Sequence, residues 1–384
     1  MKKFFDWTER KLEILWNKAE AAAENDDRSL SILRISYGLF IIVFATPSFS
    51  WISKVPQSLF LPPTISLANL FDGFPSYAWL LVIDVSLFVC SICLLFGVKA
   101  RYAGILFSAL DIIGSSFSFS FGKIDHFIMF PVFIFGLSFT NWGVGYALIP
   151  DKEVAKKQQR RVLAILAVIL CFGMFTAGFE KARHWIDFDL TKGGFIDWFY
   201  SGFFSTDRQY FLAPFILIIP PQTFEIFDYF TVIFELSPII ALISGRKWWL
   251  LWLFVASMFH LANTVLLNIP FPVHAPIYLS FIYIRFPLLT NFKKNSNQTK
   301  IYLFISTIIT IISIHQLFNV VTRNSIEPLV IYALSLMKGR VELSLYVGLL
   351  VWLITFFWTG LAVAKAFNII TTPTDKADKA SQES

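Results

Sequence analysis

Runs of about 20 apolar residues recur along almost the whole 384-residue chain, and they limit its fold more than any other feature does. A helix of about 20 residues crosses the hydrocarbon core of a bilayer and satisfies its own backbone polar groups there. Only 15% of the residues are charged, whereas a soluble domain has about 25%. We therefore predict an all-α, polytopic helical membrane protein with about ten transmembrane helices.

The apolar runs divide the chain into four segments. Residues 1–28 place apolar and basic side chains on different faces of a helix, which predicts an amphipathic helix on the cytoplasmic membrane surface. Residues 29–292 form the main transmembrane domain, 293–366 add further transmembrane helices, and 367–384 form a disordered polar tail. The predicted spans are 30–49, 77–98, 102–121, 127–148, 162–179, 223–244, 248–268, 275–289, 301–321 and 343–364.

Lysine and arginine are distributed unevenly between the loops that join these spans. If the N-terminus is cytoplasmic, 23 of the 32 basic residues lie on inner segments. Cytoplasmic loops are enriched in lysine and arginine, so both termini are predicted to be cytoplasmic. The expected location is the bacterial inner membrane, with the lipid bilayer as the partner. This topology accounts for the net charge of +6, and nucleic acid is not a predicted partner.

A charged group inside a predicted span is costly and is a functional candidate by default. The acidic candidates are Asp84, Asp111, Asp228 and Glu235. For Asp84 and Asp111, the favoured interpretation is a hydrogen bond between helices; Asp228 is the third such residue. Glu235 lies just before Ser237-Pro238, where a proline frees backbone carbonyls. Packing and a functional site are equally good interpretations of Glu235.

Two histidines are also candidates. His260 lies in the middle of a predicted span, either as a buried and hydrogen-bonded histidine or as a proton relay. His126 lies at the outer start of a span, where an ordinary interfacial histidine is an equally good interpretation. His184 and His274 lie at outer edges of spans and are weaker candidates.

The cysteines and histidines do not show the spacing of a metal site, and no metal is predicted. Cys90, Cys93 and Cys171 all lie in apolar runs. Cys90 and Cys93 form a C-x-x-C sequence on one helix face. A redox or metal-binding pair is one interpretation, but small buried apolar residues are the favoured one.

Residues 176–185 follow an apolar run and contain four titratable side chains within five positions, from Glu180 to His184. Lys181 lies at the predicted outer end of the membrane helix. It is either an interfacial anchor, whose ammonium extends to the headgroups, or a reactive amine that acts as a base when neutral.

The sequence Ala177-Gly178-Phe179-Glu180-Lys181, followed by Trp185, resembles the A-G-x-x-K … W signature of the horizontally transferred transmembrane (HTTM) family. That family includes the membrane portion of vitamin K-dependent gamma-carboxylase. The resemblance covers roughly residues 29–289. Its further landmarks are the His126 helix with Gly136-Leu137, Phe234-Glu235-Leu236-Ser237, the basic turn Arg246-Lys247, and Phe259-His260.

The resemblance implies that Lys181 is the base that deprotonates a reduced, vitamin K-like quinone, as in a carboxylase or epoxidase of the lyase or oxidoreductase class. It also implies supporting roles for His126 and His260, to which we add Glu235. A lipid-soluble quinone would enter laterally from the bilayer into an outward-facing pocket. The alternative is a non-catalytic membrane factor: a small-molecule permease, or a maturation or immunity partner of an exported peptide. We find no convincing internal repeat of the transporter kind, which favours the enzyme.

Overall fold

The computed structural model describes residues 2–124, 126–187, 189, 193–220, 222–284 and 340–370, and five single positions between 307 and 319. Most of the predicted span 301–321 and of the tail 367–384 lies outside these described residues. The α-helices with described bounds are α1 Lys2–Ala23, α2 Asp27–Phe44, α3 Tyr77–Phe96, α4 Ala100–Ser118, α5 Met129–Leu137, α6 Lys156–His184, α7 Gly194–Ser205, α8 Ala213–Ile216, α9 Gln222–Leu236, α10 Pro238–Ile243, α11 Arg246–Ala262, α12 Ala275–Leu279 and α13 Arg340–Ala366.

The regular elements of the described residues are all helical, as predicted. Short 3-10 helices connect several α-helices, and a π-helix, Asn263–Leu267, extends α11. An isolated bridge joins Val98 and Ile149. The chain divides into two compact units: one contains Met1–Asn25, Lys156–Tyr283 and Ser344–Ser384, and the other contains Asp26–Ala155 and Ile284–Leu343. Below, we call them the Lys181 unit and the Asp84 unit.

Among the described residues, five helices are long and apolar enough to cross a membrane, and each coincides with one of the predicted spans. This agreement supports the prediction of a multi-pass helical membrane protein, while the total of ten spans stays a prediction. The five helices are Tyr77–Phe96, Ala100–Phe121, Lys156–His184, Arg246–Leu267 and Ser344–Ala366.

Elsewhere the helices are shorter than the apolar runs. The run 127–148 contains the nine-residue α5, and the run 275–289 contains the five-residue α12. The run 223–244 is divided between α9 and α10 at Ser237-Pro238. The break follows from Pro238, which has no backbone N–H and whose ring would clash with the carbonyl of Phe234 in a continuous helix.

In the Asp84 unit, the fully buried Arg34 joins the end of α3 to the segment after α5. Backbone carbonyls accept from its guanidinium on both sides, and those of Leu94 and Leu95 belong to the last turn of α3, where carbonyls lack an α-helical partner. The distances are 2.6 Å to Leu94, 2.7 Å to Tyr146, 3.1 Å to Trp142, 3.1 Å to Gly145 and 3.3 Å to Leu95.

In the Lys181 unit, α1 packs with its C-terminal half against α6, α10 and α11. Ala22 and Ala23 are buried there, and Arg246 donates to the carbonyls of Ala22 and Glu24 at 2.7 and 2.9 Å. Further toward the N-terminus, Trp7 and Leu12 are exposed. The predicted position of this segment on a membrane surface stays a prediction.

Candidate functional site

Lys181 and Glu235 form a salt bridge between the ends of α6 and α9. The Lys181 Nζ atom lies 2.6 Å from both carboxylate oxygens of Glu235. The Glu235 side chain is only 5% exposed, whereas that of Lys181 is 24% exposed. The carboxylate is therefore held inside the protein, while the lysine side chain remains partly exposed.

Gly178 allows α6 and α9 to approach closely enough for this pair to form. A Cβ atom at position 178 would lie 2.8 Å from the Cβ of Glu235 and 3.1 Å from its carbonyl carbon. Real Cβ atoms essentially never come so close to another carbon, so a larger residue would separate the helices. Gly178 lies one turn before Lys181, on the same face of α6.

The helix break after Glu235 leaves the carbonyl of Phe234 without a helical partner. That oxygen accepts from the Ser237 hydroxyl at 2.8 Å, the Ser237 amide at 3.2 Å and the Trp252 indole at 3.4 Å. The carbonyl that Pro238 frees is thus hydrogen-bonded within the protein, as polar backbone groups inside a membrane must be. It fixes the end of α9, from which Glu235 reaches Lys181.

Trp185, one turn after Lys181, covers the amine on another side. The Nζ atom lies 5.4 Å from the centre of the indole ring, within the range of a cation–π interaction. Trp185 packs against the start of α7, where a Cβ on Gly194 would overlap its ring. Glu180 instead faces outward, with Arg183 at 3.8 Å and His184 at 3.5 Å.

His260, on α11, lies in a second polar pair of the same compact unit. Its Nε2 atom is 2.8 Å from the hydroxyl of Tyr278, on α12. Its ring stacks on Trp352, from α13, with centroids 4.6 Å apart and planes 11° apart. His260 is therefore a buried, hydrogen-bonded histidine, which is one of the two interpretations predicted for it, and the hydrogen bond also makes a proton relay chemically feasible.

Tyr278 lies between His260 and α6. Its hydroxyl is 3.9 Å from the sulfur of Met174, which shares the face of α6 with Gly178 and Lys181. Three of the four predicted site residues, Lys181, Glu235 and His260, thus belong to one compact unit.

His126, the fourth predicted site residue, belongs to the Asp84 unit. It begins the 3-10 helix His126–Ile128 and is exposed, with its ring stacked on Phe127 at 4.9 Å. Nothing in this local geometry assigns a function to it, and its supporting role stays a prediction.

Two of the buried acids have structural partners. Asp84 accepts hydrogen bonds from the amides of Phe49 and Ser50 at 2.7 and 3.0 Å. Asp228 accepts from the amides of Gly194 and Phe195, both at 2.8 Å, and so caps the N-terminus of α7. A carboxylate is favoured at a helix N-terminus, where backbone N–H groups have no partner within the helix.

The two faces of α9 have an arrangement typical of membrane helices. Its buried face carries Asp228, Thr231 and Glu235 among apolar residues such as Val232, whereas its exposed face carries Phe230 and Ile233. The exposed face of a surface helix in a soluble protein carries polar residues instead. On α6, Phe172, Phe175 and Phe179 are likewise exposed.

Among the described residues, no group of three or more His, Cys, Asp or Glu side chains is placed to hold a metal ion. The prediction that no metal is required is not tested by this observation. Cys90, Cys93 and Cys171 all carry free thiols, and Cys90 and Cys171 are buried.

Comparison of the chain with protein-family models, with curated proteins and with solved structures finds no match. The helices and the site must therefore define the class of protein by themselves. They define a multi-pass helical membrane protein with a buried carboxylate, a partly accessible lysine and a hydrogen-bonded histidine in one compact unit.

Sequence reasoning missed two residues of this site, Tyr278 and Trp352. Both are aromatic residues in apolar runs of a chain that is 18% aromatic, so nothing marks them locally. A buried Tyr278 hydroxyl or Trp352 indole N–H requires a polar hydrogen-bond partner. That requirement was the one indication in the sequence that these two residues lie near polar groups.

Proposed function

We propose that the chain is a membrane enzyme of the HTTM family, resembling the gamma-carboxylase membrane portion, in which Lys181 and Glu235 move a proton of a lipid-soluble hydroxyl compound. The proposal includes about ten spans and cytoplasmic termini in a bacterial inner membrane. The observation that carries it is the salt bridge itself. A buried carboxylate holds a lysine whose side chain is still 24% exposed, so a titratable group is positioned without being fully buried.

The salt bridge supports base chemistry because both partners can change protonation. Separate charges are costly in surroundings of low polarity, so a neutral pair becomes accessible when water is excluded. Lys181 then passes a proton to Glu235 along the existing hydrogen bond. The neutral Nζ atom next accepts a proton from the bound hydroxyl, and the restored positive charge stays beside that oxygen.

A reduced quinone, when bound, would supply an acidic aromatic hydroxyl. The surfaces next to the salt bridge fit a compound of this kind, because the exposed faces of α6 and α9 carry large apolar side chains. Phe175, Phe179 and Phe230 provide aromatic surface on the side from which a membrane-dissolved molecule would arrive. His260 and Tyr278 offer a second polar group in the same unit.

The test is a comparison of Lys181→Arg with the wild-type full chain in lipid nanodiscs. Arginine can keep the salt bridge to Glu235, but it does not release its proton near neutral pH. With a reduced naphthoquinone under air, the wild type should oxidise it and consume oxygen. Lys181→Arg should fold normally and lose about 100-fold or more of that rate.

Glu180→Gln is the matched control, because it removes an exposed neighbouring charge that does not contact Lys181. Its rate should equal that of the wild type. Full activity of Lys181→Arg would reduce Lys181 to an anchor. Absence of any wild-type turnover would instead favour the non-catalytic alternative, a permease or a partner of an exported peptide.

A further inference from the structure

The C-terminal helix α13 packs along α11, the helix that carries His260. Phe356 contacts Phe254 with ring centroids 4.9 Å apart, and the hydroxyl of Thr359 lies 3.3 Å from that of Ser257. α13 lies beyond the region that resembles the gamma-carboxylase. Its contacts nevertheless place it beside the predicted site.

Trp352 is the point at which α13 meets His260. Its side chain is fully buried, and its ring is nearly parallel to the imidazole at 4.6 Å. Its indole N–H donates to the carbonyl of Pro270 at 2.6 Å. The indole is therefore fixed at its polar edge while its face lies against His260.

The turn at Pro270 carries a second aromatic side chain that contacts the imidazole. Gly348 of α13 lies directly against Pro270, so that a Cβ at position 348 would collide with the proline ring. The next residue, Phe271, has a φ of 38°, a left-handed conformation that is rare for a bulky residue. Its ring lies edge-on to His260 at 5.7 Å.

We propose that Trp352 is a positioning residue. By stacking on His260 and hydrogen-bonding to the turn at Pro270, it fixes the imidazole plane so that Nε2 keeps its hydrogen bond with the hydroxyl of Tyr278. The χ2 torsion of a histidine side chain has broad energy wells, so the ring needs tightly packed neighbours to keep one orientation. Its importance for turnover rests on the proposed function, whereas the orientation of the ring does not.

The orientation can be measured by NMR on the full chain in nanodiscs, with carbon-13 at the Cε1 atom of histidine. The chain has five histidines, and His260→Gln identifies the signal of interest by its loss. An imidazole stacked on an indole should show a strong upfield ring-current shift of its Cε1 proton. Trp352→Leu should abolish that shift, and Trp352→Phe should retain part of it.

Gly348→Ala provides a test that changes none of the rings. Its new methyl group pushes α13 away from Pro270, so the His260 signal should move toward that of Trp352→Leu. Gly360→Ala is the matched control on the same helix, because its Cβ would meet only the edge of the Phe254 ring at 3.2 Å. It should leave the signal unchanged.

If turnover is found, Trp352→Leu and Gly348→Ala should lower it by about 10- to 100-fold, since small displacements of a site cost that much. Trp352→Phe should retain more turnover than Trp352→Leu, because it keeps an aromatic ring against His260. If Trp352 only filled space, the two variants would behave alike. If the chemical shift of the His260 signal is unchanged in both Trp352→Leu and Gly348→Ala, the positioning role is overturned. A shifted signal without wild-type turnover would overturn the proposed function alone.

Discussion

Asp84 and Glu235 are both buried acids in predicted membrane spans, yet the structure gives them different partners. Asp84 is fully buried and accepts from the amides of Phe49 and Ser50, as well as from the Ser48 hydroxyl at 3.2 Å. Glu235 is held by one amine, that of Lys181. The first set of partners belongs to the backbone and a neighbouring hydroxyl. The second is a side chain that can gain or lose a proton.

This difference separates a structural acid from one that is suited to chemistry. A backbone amide keeps its proton and its position, so Asp84 acts as a fixed cap of the 3-10 helix Ser50–Lys54. A lysine can transfer its proton or turn aside, which is the property that the proposed chemistry requires of the Lys181–Glu235 pair. The burial of an acid is therefore a poor guide to its function, and the nature of its donors is a better one.

The largest expected effect is the loss of stability in Asp84→Ala. The substitution leaves two buried amides without acceptors, at a cost of about 1–3 kcal/mol each, so the free energy of unfolding should fall by about 4 kcal/mol. Denaturation of the detergent-solubilised protein measures it. Asp72→Ala, at an exposed position, should stay within about 0.5 kcal/mol of the wild type.

The contrast with Glu235 requires that the molecules of Asp84→Ala that remain folded keep their activity. If those folded molecules lost turnover as Lys181→Arg is expected to, Asp84 would also belong to the chemistry. The distinction between the two acids would then fail.

A double-mutant cycle on the salt bridge should give the next largest effect. Glu235→Gln leaves the ammonium of Lys181 without its counter-charge and should cost about 2 kcal/mol, less than for a fully buried pair because the lysine is partly exposed. Lys181→Met leaves a buried carboxylate and should cost at least as much. The double variant should return to within about 1 kcal/mol of the wild type.

All three variants of the cycle should lack turnover, because none retains both proton-carrying groups. Thermal and denaturant unfolding of the four proteins gives the coupling energy, expected to exceed about 1 kcal/mol for groups in contact. Additive single costs would show that the two side chains do not form a stable pair.

The long membrane helices could be predicted because hydropathy is a local property. The run 162–179 identified α6, although the helix continues to His184, since hydropathy marks the hydrocarbon region rather than the helix ends. The short helices α5 and α12 could not be foreseen in the same way. Hydropathy averages over each run, whereas tertiary contacts decide where such a helix ends.

The candidate residues were found for a similar reason. Lys181, Glu235 and His260 stand out because charged or polar groups are conspicuous in apolar sequence. Their partners were not predictable: Glu235 is 54 positions from Lys181, whereas the acid next in sequence, Glu180, faces outward. Trp352 is still further from His260 along the chain, and only the packing of α13 brings them together.

Gly178→Ala should have a moderate effect on the salt bridge. The new methyl group would come within 2.8 Å of the Glu235 Cβ and force α6 and α9 apart. Overpacking of this kind costs about 1–3 kcal/mol, partly offset by the better helix propensity of alanine. Stability and turnover should both fall, and a larger distance between engineered spin labels on the two helices would confirm the separation.

Gly360→Ala is a suitable control, since it brings the same gain in helix propensity to a looser contact with Phe254. It should be neutral or slightly stabilising. A Gly178→Ala variant with equal stability and equal turnover would show that the helices have room to adjust and that the pair does not depend on this glycine.

The smallest effect is expected at Trp185, whose ring lies 5.4 Å from the Lys181 amine. A cation–π contact at a partly exposed site is worth about 0.5–1 kcal/mol, so Trp185→Leu should lower the stability by that amount, with some added loss of packing on Gly194. Trp185→Phe should keep part of the contact. Both should retain the salt bridge, so turnover should change less than in any variant of the Lys181–Glu235 cycle.

Trp7→Leu is the control, because the ring of Trp7 also lies beside a lysine amine, 5.8 Å from that of Lys11. Trp7 is exposed and remote along the chain, so its loss should be neutral. A loss of turnover in Trp185→Phe as large as that in Lys181→Arg would contradict this ranking, and it would make the indole a part of the site rather than a cover over the lysine.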